Sequence, residues 1–206
     1  MKSKIDFRLI FITNSKLNPD LYRVVKKACG AGVKAVQIRE KELSAKELLK
    51  LAKRLRILAK KTNTELFIND RYDIALLSNA DGLHLPENGI LPSHINRNKR
   101  IIMGRSVHSL MAAREAEKNG FDYILFGPVF RTPAKIKFGS PQGLSKLEKV
   151  CNSVNIPVFA VGGINPQRAK KCVESGAHGI AVIRELMLSP NISKTLRDFK
   201  EAIGSL

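Results

Sequence analysis

Residues 157–184 read PVFAVGGINPQRAKKCVESGAHGIAVIR. Two apolar runs, PVFAVG at 157–162 and GIAVIR at 179–184, flank a helical pattern that opens at Asn165-Pro166 and closes on Gly176. Neither run keeps a polar face, which is the pattern of strands covered on both sides. Strands of this kind joined through a helix lie parallel in a sheet buried under helices.

The same alternation continues back to the N-terminus. Six further strand candidates are RLIFIT at 8–13, AVQIRE at 35–40, ELFIND at 65–70, GLHLP at 82–86, IIMGRS at 101–106 and YILFGPV at 123–129. Helical stretches such as PDLYRVVKKACGAG and SAKELLKLAKRLRILAKK lie between them, and Gly32, Gly120 and Gly176 stand where helix C-terminal caps belong. Ser44 with Glu47 three residues on reads as a capping box. Eight strand-plus-helix units in 206 residues leave about 26 residues each, near the short end for a (β/α)8 barrel. The expected fold is therefore an α/β chain forming one compact (β/α)8 (TIM) barrel domain over residues 1–206. A doubly wound sheet would carry GxGxxG after its first strand, and ITNSKLNPD has none.

Composition narrows the class further. With 44% hydrophobic and 26% charged residues the chain is neither low-complexity nor disordered in character. Cys29, Cys151 and Cys172 are widely spaced and odd in number, which speaks against a disulfide framework or a zinc site and for a reducing, cytoplasmic compartment. The apolar stretch in MKSKIDFRLIFITN is too short for a signal segment, and no run reaches the roughly 18 apolar residues of a membrane span. The formal charge of +18 attracts anions. The lysines are spread over many helices and aromatics are only 6%, so a nucleic-acid stripe is not expected and anionic small molecules are.

In such barrels the chemistry sits at the C-terminal ends of the strands. On strand two, alternation sends Gln37, Arg39 and Lys41 to one side and Ile38 and Glu40 to the other, so an amide and two cations face one pocket as an anion site. Strand three ends at Asn69-Asp70, where Asp70 reads either as a ligand for a hard cation such as Mg2+ or as a cap of the following helix. Strand five ends with Ser106 and His108; His84 and His108 read as hydrogen-bonded structural residues rather than lead catalysts. The loop after strand six, Gly127 to Gly143, reads either as a disordered surface excursion or as a substrate lid, and the cation Lys135 within it favours the lid. Gly162-Gly163 after strand seven, and the end of strand eight, stand where these barrels bind phosphate.

QIREK at 37–41, INDR at 68–71, ADGLHLP at 80–86, GRSVHS at 104–109, FGPVFRTPAK at 126–135, AVGGI at 160–164 and GIAVI at 179–183 together resemble the thiamine-phosphate synthase family, which includes thiazole tautomerases. The resemblance covers seven of the eight units in order. It implies condensation of hydroxymethylpyrimidine diphosphate with a thiazole phosphate, giving thiamine phosphate and pyrophosphate with Mg2+ as cofactor. Arg39, Lys41 and Lys135 would then be catalytic. Gln37, Arg39, Glu40, Lys41, Asn69, Ser106 and Lys135 would hold the pyrimidine diphosphate. Thr132, Pro133, Ala134, Gly162, Gly163, Ile183 and Arg184 would line the thiazole phosphate site. Asp70 and Glu87 would bind the metal. A homo-oligomer is compatible with this reading, and neither a membrane nor a nucleic-acid partner is expected.

The chain departs from the family pattern at two places and from its tautomerase branch at a third. Gly89 stands near the place of a second metal carboxylate, leaving Glu87 as the substitute, and Arg184 stands where the family often has Ser. Pro128 follows Gly127 where the tautomerase branch carries His, and a proline ring cannot move a proton. A thiazole tautomerase acting on a carboxythiazole phosphate is the alternative function, and a non-catalytic regulatory relative a more distant one.

Overall fold

Each of the eight apolar runs forms a strand: β1 Leu9–Ile12, β2 Ala35–Ile38, β3 Glu65–Asn69, β4 Gly82–Leu85, β5 Ile102–Val107, β6 Tyr123–Phe126, β7 Val158–Val161 and β8 Gly179–Val182. In this computed structural model, which describes residues 5–95, 101–132 and 140–204, all neighbouring pairs are parallel and β8 returns to β1, closing the barrel. The helices are α1 Leu21–Gly30, α2 Ala45–Thr62, α3 Tyr72–Leu77, α4 Leu110–Lys118, α5 Gly143–Cys151, α6 Pro166–Glu174, α7 Arg184–Met187 and α8 Ile192–Ile203. After β4 the described residues hold only a 3-10 turn, Pro92–His94. None of the described helices is long and apolar enough to cross a membrane.

The helix ends follow from side-chain chemistry. Ser44 Oγ accepts from the Glu47 amide at 3.3 Å, and Glu47 accepts from the Ser44 amide at 2.9 Å, closing the capping box that starts α2. Asn165 caps α6 by accepting from the Arg168 amide at 2.9 Å. The strands stop two or three residues short of several expected ends, at Ile38 in β2 and Phe126 in β6. The polar tails of those runs leave the ladder to line the mouth.

Two apolar layers result from the period-two alternation of the strands. One face packs Leu9, Phe11, Val36, Ile38, Leu66 and Ile68 under the helices. The other fills the barrel with Phe7, Ile10, Ile12, Ala35, Phe67, Tyr123, Leu125, Phe159 and Ala181. Space for the large rings comes from missing side chains opposite: a Cβ on Gly82 would overlap the Phe67 ring, and one on Gly104 would overlap Tyr123. The interior is thus packed, and the C-terminal mouth is where side chains are open to a ligand in barrels of this kind.

Candidate active site

The mouth is built strand by strand. Gln37 at the end of β2 is 1% exposed and donates from Nε2 to Asn69 Oδ1 on β3 at 3.0 Å, while its Oε1 is buried without a partner. Asn69 is in register with His84 on β4, whose Nε2 lies 2.9 Å from Ser106 Oγ on β5. The His84 Nδ1 lies 3.2 Å from the hydroxyl of Tyr123 on β6. Gln37, Asn69, His84 and Ser106 therefore form a polar arc across four adjacent strands. Leu125, Val161, Ile183 and Ile12 make the other half of the inner wall apolar.

Burial governs the ionisation of this arc. His84 is driven down to about 3, first by burial and then by the positive charge of Arg39, so it is a neutral imidazole at ordinary pH. Tyr123 is pushed well up, first by burial and then by Glu65 and Asp122, so its phenol keeps its proton.

Beyond the strand ends the cations and carboxylates divide. The Arg39 amide donates to Thr13 Oγ1 at 3.0 Å, which fixes its backbone, and its half-buried guanidinium has no ion-pair partner among the described residues. Lys41 is exposed in the turn after β2, where strand alternation no longer applies. Glu40 turns the other way. One carboxylate oxygen accepts from Thr13 Oγ1 at 2.6 Å and the other from the Ser15 amide at 2.9 Å, so it clamps the β1 loop to β2 and both its oxygens are occupied.

Asp70 follows β3 with φ of +65°, a left-handed conformation that Asp tolerates better than most residues. Its amide donates to the His84 carbonyl at 2.8 Å and its side chain is exposed. Helix α3 begins without a side-chain cap, so the capping alternative for Asp70 does not apply. The Glu87 carbonyl accepts both a 3.0 Å bond from Arg105 Nε and one from Arg105 Nη2, and its carboxylate lies 3.8 Å from His108 Nε2. A Cβ at Gly89 would sit 3.1 Å from the Pro86 carbonyl oxygen, a tight contact that a shift of a few tenths of an ångström relieves. Among the described residues no three His, Cys, Asp or Glu side chains group as a metal cage. One or two carboxylates at the mouth of the barrel fit Mg2+, which keeps water and substrate ligands.

Across the mouth, Gly162 and Gly163 have φ of +101° and +67°. A Cβ on Gly162 would lie 2.6 Å from Pro128 Cβ, and one on Gly163 would lie 2.7 Å from the Arg131 carbonyl oxygen. Only glycine admits both the conformation and the loop lying over it. Arg168 holds this turn by donating from Nη1 to the Gly163 carbonyl at 2.6 Å, with its guanidinium 4.9 Å from the Phe130 ring centre. Ile183 is half-buried, and Arg184 is exposed at the start of α7. Thr132 is the last residue described before 133–139 in the β6 loop. Pro133, Ala134 and Lys135 lie outside the described residues.

Three contributors escaped the sequence reading. Thr13 and Tyr123 act through partners 27 and 39 residues away in the chain, and Arg168 acts through a backbone carbonyl. No local spacing reports such contacts.

A closed eight-stranded parallel barrel with its polar groups at the C-terminal strand ends belongs to the (β/α)8-barrel class, whose members react substrates at that mouth. Within that class, residues 9–186 match the profile of the thiamine monophosphate synthase family, and the chain belongs to it. It is 46% identical over 178 residues, covering 85% of this chain and 95% of the relative, to an Aquifex aeolicus protein provisionally named thiamine-phosphate synthase 2. Identity to the thiamine-phosphate synthase of Clostridium acetobutylicum is 37%, over 94% of this chain and 93% of the relative. The solved thiamine phosphate pyrophosphorylase of Pyrococcus furiosus superposes with a TM-score of 0.86 at 36% identity, covering 96% of each chain.

Proposed function

We propose that the protein is a thiamine-phosphate synthase, joining hydroxymethylpyrimidine diphosphate to a thiazole phosphate with release of pyrophosphate. The observation that carries this reading is the polar arc Gln37–Asn69–His84–Ser106 with the unpaired Arg39 beside it. Family membership at 35–46% identity to proteins of that name supports the same chemistry.

Arg39 and Lys41 hold the diphosphate and meet the charge that grows on it as the C–O bond breaks. The family resemblance assigns Lys135 to the same diphosphate. Gln37 presents its unpartnered carbonyl oxygen to a donor on the pyrimidine, and Asn69 and Ser106 line the same subsite. Asp70, with Glu87 as the substitute for the second carboxylate, would hold Mg2+, which would supply neutralisation of the leaving pyrophosphate. On the far side Gly162 and Gly163, with Thr132, Pro133, Ala134, Ile183 and Arg184, take the thiazole phosphate. The protein works in the cytoplasm, consistent with its three free thiols.

The test is incubation with both substrates and Mg2+, measuring thiamine phosphate and pyrophosphate. Stoichiometric formation of both supports the synthase. Isomerisation of a carboxythiazole phosphate without pyrophosphate release would replace it with the tautomerase reading. That outcome would need a base other than Pro128, and His108, whose Nδ1 donates to the Gly127 carbonyl at 2.5 Å, is the first to substitute.

A further inference from the structure

Both ring nitrogens of His84 face hydroxyls, Nδ1 toward Tyr123 at 3.2 Å and Nε2 toward Ser106 at 2.9 Å. A neutral imidazole carries one proton, so it must accept from one hydroxyl and donate to the other. Tyr123 decides which. Its ring is fully buried against Phe67 and Phe159 and over Gly104. Among the described residues its hydroxyl bonds only to His84. A proton on Nδ1 would leave the phenol O–H as a buried donor with no acceptor, which is the costly arrangement. The phenol therefore donates to Nδ1, and the imidazole proton sits on Nε2.

Nε2–H then donates to Ser106 Oγ. Having accepted that bond, Ser106 keeps its own proton for another partner, and the described residues supply none. The half-buried Ser106 stands at the inner end of β5, in the arc that faces the mouth.

Resting on the synthase reading above, we infer that Tyr123 and His84 are positioning residues that hold Ser106 as a hydrogen-bond donor toward the diphosphate-bearing substrate. Without them the hydroxyl turns freely among its staggered positions and can present a lone pair to an anion. A donor aimed in advance acts most on charge that develops during bond breaking, so the effect belongs mainly to kcat rather than KM.

The tautomer is read on the resting protein by 15N spectroscopy of labelled histidines, with the His84 signal assigned by its loss in His84→Gln. The expected result is an Nε2–H imidazole; an Nδ1–H imidazole overturns the inference whether or not the protein makes thiamine phosphate. Tyr123→Phe removes one oxygen and keeps the ring, and it should abolish the single-tautomer signature and lower kcat about tenfold with little change in KM for the pyrimidine diphosphate. His84→Gln, whose amide N–H can replace Nε2–H, should retain more kcat than His84→Leu. A wild-type kcat in both Tyr123→Phe and His84→Leu would refute the positioning role even with the expected tautomer. A wild-type protein with that tautomer but no synthase activity would refute the proposed function and leave the hydroxyl geometry intact.

Discussion

Arg39 and Glu65 show how neighbours set what a charge does. Arg39 has its backbone fixed by Thr13 and no carboxylate to neutralise it, so its charge is available to a diphosphate. Arg39→Ala should lower kcat/KM about 100-fold, about 2.7 kcal/mol, in a steady-state assay of pyrophosphate release. Glu65, at the opposite end of the barrel, is the reverse case. Burial first, then the charges of Asp81 and Asp6, push its carboxyl up to about 7 against the pull of Arg56, and its Oε2 has no partner. The folded protein holds this proton where the unfolded chain releases it, so Glu65 erodes stability as pH rises from about 4.5 through about 7. Glu65→Gln should match wild type near pH 4 and melt higher at pH 8. After allowance for screening at a half-exposed site the gain is about 1 kcal/mol, or about 3 °C, by thermal denaturation at the two pH values. Gln37, Arg39, Asn69 and Ser106 were legible because strand alternation at a barrel mouth sorts side chains by face. Glu40 was legible only as a face; its capture by Thr13 and Ser15 depends on the neighbouring strand, which local pattern does not encode.

The eight strands were readable as elements because an apolar run between capped helices has few other structures open to it. Gly32, Gly120 and Gly176 take positive φ just past α1, α4 and α6, as their positions implied. Among the short elements, the helix after strand three was expected and is α3, whereas α7 has four residues, too few for a 3.6-residue period to register. The packing of one strand against another across the barrel was equally hidden. Gly104 falls inside the strand run IIMGRS, as expected, but the reason for a glycine there lies across the barrel: in β5 the Tyr123 ring occupies the place of its side chain. Gly104→Ala must displace that ring, at a cost of about 1–3 kcal/mol. It should lower the denaturation midpoint and, by moving the Tyr123 hydroxyl, lower activity more than stability alone accounts for; unchanged values for both would contradict the packing described here.

At the scale of the whole molecule, a net charge of +18 surrounds a mouth whose described carboxylates are few. Such a field draws in diphosphates and repels free divalent cations, and salt weakens it over a Debye length of about 8 Å at physiological ionic strength. KM for the pyrimidine diphosphate should therefore rise severalfold between about 50 and 500 mM KCl, with kcat moving less. The same field bears on the proposed metal. Asp70 is exposed, Glu87 stands beside His108, and Gly89 carries no side chain to add a ligand in its turn. On the proposed reading, with so few oxygen ligands from the protein, Mg2+ would depend on substrate phosphate oxygens and water for the rest of its ligands. Calorimetric titration of Mg2+ into the free protein should give at most millimolar affinity, whereas the same titration with pyrophosphate present should give binding tighter by an order of magnitude or more. Asp70→Ala should remove most of that gain while leaving metal-free pyrophosphate binding, which depends on Arg39 and Lys41, nearly unchanged. Tight Mg2+ binding to the free protein that survives Asp70→Ala would instead require a cage of ligands elsewhere in the chain.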